Sequence, residues 1–324
     1  MKKLFSFILI LSITACTWVK DEEEECPYGF WLNLHYTYNI LDVDAAPEFI
    51  KEASVYVYDS VGNYVTRIDA SQAELKANNQ RIRIKGIPEG DYQFVVWGGI
   101  NSNQYTVAGS NNTMSQFRLS LAEQDKACSS ELTDLYYGYK RLHFKDLYAE
   151  HDVYLVKNTN QLASIIAPIA RGVEMNPEDF TLRMKTANGT MNIYNELVSD
   201  KIITYEPYIK EKVIVKDSVN GELHGIKLSI KTLRLMADTD CRLIFENNTT
   251  GDQIFNISYP EIVGMIGTLY TNMGRQLTTQ EYLDRQDFHT LIFFLSEDMT
   301  QLVQVRCQLK VISWRDRNNN HLKL

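Results

Sequence analysis

The sequence predicts an all-β protein built as two consecutive β-sandwich or β-barrel units. Apolar residues recur at every second position through most of the chain. Gly, Pro, Asn and Asp interrupt those runs at short intervals, and helical spacing is nearly absent. At 324 residues the chain is long for one core, and 44% hydrophobic content is ordinary for globular proteins, so each unit can bury its own.

The first 25 residues stand apart from this pattern. Lys2 and Lys3 precede the apolar run from Leu4 to Ile13, which leads into Ile13-Thr14-Ala15-Cys16. A positive start, about ten apolar residues and a small residue before the cut make a signal peptide. The run falls short of the ~20 residues that a membrane-spanning helix needs. A branched apolar residue three places before a cysteine, with small residues between, looks like a bacterial lipobox. It predicts removal of residues 1–15, with lipid on the Cys16 sulfur and on its new N-terminus. An ordinary signal peptide with an incidental cysteine is the alternative. Residues 16–25 then form a tether, because the consecutive acids Asp21 to Glu25 repel one another and stay solvated. Lys20 followed by acids also resembles the export signal that sends Bacteroidetes lipoproteins to the outer leaflet, which points to the cell surface.

The folded body begins near Cys26. Phe30, Leu32, Leu34, Tyr36 and Tyr38 alternate with Trp31, Asn33, His35, Thr37 and Asn39, as in a strand with one apolar face. Ala53 to Asp59 is rich in Val and Tyr and ends in the turn Asp59-Ser60-Val61-Gly62. Tyr64 to Ile68 runs back, completing a hairpin. Ile82 and Ile84 alternate with Arg81, Arg83 and Lys85. Pro88 and Gly90 then set a turn into the strand Gln93 to Trp97. Phe117, Leu119 and Leu121 mark another strand, and Asp134-Leu135-Tyr136-Tyr137-Gly138 opens the last segment of a first unit spanning residues 26–147.

The second unit, residues 148–324, repeats the idiom. Val153 to Val156 is a strand, and Phe180, Leu182 and Met184 alternate with Thr181, Arg183 and Lys185. Asn188-Gly189 predicts a hairpin joining that run to Met191–Tyr194. Ile226, Leu228 and Ile230 form a further strand; Leu243–Glu246 and Ile254–Tyr259 flank a Gly251-Asp252 turn. Phe288–Leu295 and Leu302–Trp314 finish the unit. Leu162 to Ile169 reads equally as strand or helix, and Glu261 to Arg285 as a helix or a long ordered loop.

Charge and cysteines narrow the function classes. The formal charge of −8 becomes −10 once Lys2 and Lys3 leave with the signal peptide. No basic run of five exists, which argues against nucleic acid as a partner. An acidic body gains nothing from anionic lipid, so attachment to a membrane rests on acyl chains. With Cys16 lipidated, Cys26, Cys128, Cys241 and Cys307 remain, and export permits disulfides. Pairing within each half is the simplest arrangement, although four cysteines allow three. Cys307 continues the apolar face of Val303 and Val305, so a buried free thiol is an alternative there.

The order of several segments resembles the FimB-type, fimbrillin-A-associated anchor lipoproteins of the Bacteroidia. The resemblance runs from the lipobox at Cys16 through Cys26-Pro27 and the aromatic strand ending Tyr38-Asn39. It continues through Val55–Gly62, Gly90–Gly99, Asp134–Gly138, Glu281-Tyr282-Leu283-Asp284-Arg285 and a terminal strand ending at Trp314. It implies two tandem transthyretin-like Greek-key β-sandwiches. It also implies the lipid-held base of a surface fimbria on the outer membrane, which receives fimbrillin shaft subunits by strand or edge docking and limits fibre length.

No catalytic constellation stands out, and no cofactor is implied. The six histidines (His35, His143, His151, His224, His289 and His321) are scattered without metal-ligand spacing, and no C-x-x-C, G-x-S-x-G or phosphate-cradling glycine loop occurs. His35 and His289 lie in alternating segments and read as strand residues. Trp97, beside Gly98-Gly99, could stack on a sugar but reads more readily as core. The expected function is therefore a non-enzymatic fimbrial anchor, with a surface adhesin or glycan-binding module as the alternative and an exported hydrolase a weaker third. The docking residues cannot be read from the sequence.

Overall fold

A computed structural model describes residues 29–145, 149–198, 201–267, 271–272, 275–286 and 288–307. The signal segment, the tether, Cys16, Cys26 and the continuation from 308 to Trp314 lie outside the described residues. The chain runs β1 (Gly29–His35), α1 (Ala46–Phe49), β2 (Ala53–Asp59), β3 (Tyr64–Ala70), α2 (Gln72–Ala77), β4 (Arg81–Lys85), β5 (Gly90–Gly98), β6 (Tyr105–Ala108), β7 (Arg118–Leu121), β8 (Tyr136–Phe144), β9 (Glu150–Tyr154) and β10 (Val156–Lys157). It continues β11 (Thr159–Pro168), β12 (Phe180–Thr186), β13 (Thr190–Asn192), β14 (Ile203–Tyr205), β15 (Ile209–Asp217), β16 (Gly221–Leu233), β17 (Cys241–Asn247) and β18 (Gln253–Ser258). After α3 (Tyr259–Gly267), the short pair β19 (Thr271–Asn272) and β20 (Arg275–Gln276), and α4 (Thr279–Arg285), it ends in β21 (Phe288–Leu295) and β22 (Leu302–Cys307).

The first sandwich packs the sheet β4-β1-β9 against β10-β8-β5-β2-β3. Phe30, Leu32 and Leu34, the alternating face of β1, meet Val55, Val57, Phe94 and Val96 in one core. The opposite face of β2 and β5 is buried too. Tyr56, Tyr58, Val95 and Trp97 pack on Tyr105, Phe117, Leu119 and Leu121 of a third layer, the sheet β13-β7-β6. Burial on both faces explains why Val55–Tyr58 and Phe94–Trp97 are unbroken apolar runs rather than alternating ones. The β2–β3 turn closes as expected: Asp59 Oδ1 accepts from the amides of Val61 (3.0 Å) and Asn63 (2.8 Å), and Gly62 adopts φ +91°.

The second sandwich packs β15-β16-β11-β21-β22 against β14-β12-β17-β18. Leu182, Met184, Leu243 and Phe245 face Leu162, Leu228, Ile230, Leu291 and Phe293. A file of rings, Phe180, Phe245, Phe255 and Phe293, crosses this core at centroid spacings of 5.2, 5.3 and 5.1 Å. The far end of the β15–β16 hairpin turns across the outer face of its own sheet. There Val215 and Leu223 cover Ile165, Ala167 and Phe294, and Arg306 of β22 bonds Asp217 at the hairpin's end.

Several expectations change. Residues 162–168 are strand, because β11 is central, hydrogen-bonded to β16 and to β21. The stretch 261–285 holds two helices, and Thr278 caps α4 through a reciprocal box with Glu281. Asn188-Gly189 does not make a hairpin. β12 pairs with β14 and β17, while β13 leaves to pair with β7. The reason is that Asn188 is buried and otherwise engaged: its Nδ2 donates to the Leu233 carbonyl (3.0 Å) and its Oδ1 accepts from the Tyr205 hydroxyl (2.7 Å). β9 and β10 belong by pairing to the sheets of the first half, so those sheets extend about ten residues past the 147/148 division.

Candidate functional site

The two sandwiches meet around Asp134, which precedes β8. Its carboxylate holds Lys157 Nζ, at the end of β10, and Lys231 Nζ, on β16, each at 2.8 Å, and accepts from Thr159 Oγ1 at 3.0 Å. Both lysines are only 8% exposed. Lys157 also lies 5.9 Å from the ring centroids of Phe49 and Tyr136. Asp134, Lys231, Phe49 and Tyr136 line a cleft of about 510 Å³ together with Glu48, Glu52 and Glu131. Nearby, Asn158 and Asn195 exchange side-chain hydrogen bonds of 2.5 and 3.0 Å, and within the second half Asn160 donates to the Leu283 carbonyl at 2.8 Å. Arg285 of α4 reaches Asp42 at 2.6 Å with its guanidinium 4.2 Å over the Tyr38 ring. With its ions paired, this junction braces two sheet systems.

Three histidines among the described residues each have partners of their own. His289 is buried, 2.5 Å from the Tyr259 hydroxyl and stacked 5.4 Å from Tyr282. His143 pairs with Asp91 at 3.1 Å on the surface. His35, a strand residue as expected, sits between two carboxylates, Asp44 and Asp152, at 2.7 and 3.2 Å. Among the described residues no group of three His, Cys, Asp or Glu side chains could hold a metal ion. That His35 has two acidic partners escapes sequence reading, because Asp152 comes from the parallel pairing of β1 with β9, more than a hundred residues away.

Trp97 is fully buried, stacked on Phe117 at 6.2 Å and 11°, and offers no ring face to a sugar. Among the described residues Cys128, Cys241 and Cys307 carry free thiols. Burial pushes the Cys241 thiol up to about 12 and that of Cys307 to about 11.

Sheet edges differ in how they are guarded. β15 carries Lys210, Lys212 and Lys216, and β4 carries Arg81, Arg83 and Lys85, charges that discourage pairing with another chain. β18 (QIFNIS) has no charge, and β22 (LVQVRC) has only Arg306. Both lie on the same side of the second sandwich, β18 over β21 through the Phe255–Phe293 contact and β22 beside β21.

Solved structures share this architecture. A candidate adhesin from Bacteroides thetaiotaomicron is 24% identical with a TM-score of 0.76, covering 87% of this chain and 96% of its own. A candidate polysaccharide-binding protein from the same species is 24% identical with a TM-score of 0.74, covering 86% and 95%. The fimbrial anchor protein Mfa2 from Porphyromonas gingivalis is 18% identical with a TM-score of 0.66, covering 87% and 98%. At these identities the likeness is one of fold. No curated protein matches. The sequence profile of the fimbrillin-A associated anchor proteins Mfa1 and Mfa2 matches residues 22–320, nearly the whole chain, and the protein therefore belongs to that family of fimbria-associated proteins.

Proposed function

We propose that this chain is the lipid-anchored base of a surface fimbria, attaching the fibre to the outer membrane and limiting its length without catalysis. Membership of the anchor family carries the reading. The run from Lys2 to Cys16 supplies the means of attachment. Each buried methylene adds ~0.8 kcal/mol, so several acyl chains on Cys16 hold the protein stably. The acidic residues 21–25 hold the body off the bilayer and mark it for surface display. The braced junction at Asp134 suits a part that carries load between membrane and fibre. Fimbrillin shaft subunits dock by strand addition, in which main-chain hydrogen bonds give affinity and alternate side-chain pockets give specificity. The weakly guarded edges β18 and β22 suit that mode better than the lysine-bearing β15.

The deciding experiment is Cys16→Ala. The protein and its fibres should leave the membrane fraction and appear together in the medium; retention of both would sink the mechanism. The likeness to candidate adhesins favours a second reading, a surface adhesin or glycan-binding module. Mass spectrometry of what co-purifies with the membrane-extracted protein separates the two. Fimbrillin-like β-proteins support the anchor, whereas the lipoprotein alone, with glycan binding, supports the adhesin.

A further inference from the structure

His35 lies on the outer face of β1 with a carboxylate against each ring nitrogen. Nδ1 is 2.7 Å from Asp44 Oδ2, and Nε2 is 3.2 Å from Asp152 Oδ1. A neutral imidazole has one N–H and one lone pair, so it would aim that lone pair at one of the two carboxylates. Only the imidazolium donates to both. The surrounding groups agree. From β9, Tyr154 stacks on the ring at 5.3 Å and 27°. From β1, Asn33 Nδ2 holds Asp152 Oδ1 at 2.9 Å. From β4, Arg81 is occupied with Glu150 at 3.0 Å. Lys140 of β8 adds positive charge near Asp152. Partial burial works against a charged ring here, but the hydrogen bonds to Asp44 and Asp152 outweigh it and hold the His35 pKa above its usual value.

Asp44 is also the clasp of a loop. Its Oδ1 accepts from the amides of Tyr36 at 2.9 Å and Ala46 at 3.0 Å, tying both ends of the segment 36–46 to one carboxylate. The middle of that segment is what the first sandwich offers to α4. The Ile40 amide donates to the Arg285 carbonyl at 3.0 Å, and Arg285 bonds Asp42 and the Asn39 carbonyl. A chain of contacts thus runs from His35 through Asp44 and residues 39–42 to Arg285.

We propose that His35 is a pH-sensitive latch: protonated, it holds Asp44 and the loop that grips α4, and on losing its proton it lets that loop and its contact with the second sandwich loosen. The latch also needs ionised carboxylates. Asp44, despite some burial, is held below its usual value by the Tyr36 and Ala46 amides and by His35, and Asp152 by Asn33 and His35. The closed state therefore contributes stability from roughly pH 4 to 6.5, and loses it as pH rises through the raised His35 pKa or falls through the lowered carboxylate values. The inference does not depend on the anchor reading.

Hydrogen exchange of the whole chain, at about pH 5.5 and about pH 8.5 and corrected for intrinsic rates, tests it. Amides of 36–46, above all that of Ile40, should lose protection severalfold at the higher pH while β2 and β5 do not change. In His35→Gln that difference between the two conditions should vanish. Equal protection of the wild-type loop at both values, or the same loss in His35→Gln, overturns the latch. Asp152→Asn, which leaves Asp44 in place, provides a second check: the His35 pKa measured by NMR should fall, and an unmoved value also overturns it.

Discussion

Lys231 Nζ on β16 lies 2.8 Å from Asp134 Oδ1, so a strand of the second sandwich ends on a carboxylate that belongs to the first. The same carboxylate holds Lys157 at 2.8 Å. Two nearly buried ammonium groups therefore share one anion where the sheet systems join.

Asp134→Ala removes the anion that both lysines share. Breaking a buried ion pair from one side costs about 3–5 kcal/mol, and urea unfolding should show a loss of that order. Lys231→Met leaves Asp134 with Lys157 and should cost less. A wild-type midpoint for Asp134→Ala would mean that the junction does not depend on this contact.

Asn188→Ala removes the acceptor that the buried Tyr205 hydroxyl meets at 2.7 Å and one donor, at 3.0 Å, to the Leu233 carbonyl, which keeps the Thr232 hydroxyl at 2.7 Å. An unsatisfied buried polar group costs about 1–3 kcal/mol, readable as a lower thermal midpoint. Asn188→Asp keeps the acceptor for Tyr205 but loses the donor to Leu233, and should also destabilise.

The thiols should be quiet. Thiolate is the reactive form, and burial has raised the pKa of both Cys241 and Cys307. Alkylation of the folded protein at about pH 8 should leave Cys241 unmodified and label it on unfolding.

Trp97→Ala should behave as a core truncation, costing about 3–5 kcal/mol. Any glycan affinity that the protein has should survive the change in a variant still folded at the assay temperature. Selective loss of sugar binding from a folded Trp97→Ala protein would contradict the buried placement of the indole.

The strands of this fold were legible because each can be read locally. Phe30, Leu32 and Leu34 are buried as their spacing predicts, and the hairpins at Asp59–Gly62 and Gly251-Asp252 form as their turn residues predict. What failed was non-local. Asn188-Gly189 has the composition of a tight turn, yet Asn188 is recruited by Tyr205 and Leu233, partners that no window around it contains. The placement of Glu150–Lys157 with the first half depends on pairing with β1 and β8. His35 acquires two acidic partners for the same reason.

The three-residue strand β13, which hydrogen-bonds β7 through Thr190, Met191 and Asn192, sets an order on how this protein comes to be. A nascent chain released as far as Lys157 already contains every strand of the first sandwich, but β7 still faces solvent along one edge. Its third layer closes only after some thirty more residues have emerged. Folding of the first half thus waits on synthesis of the second. A fragment cut between the two halves should expose an edge prone to self-association rather than yield an independent domain.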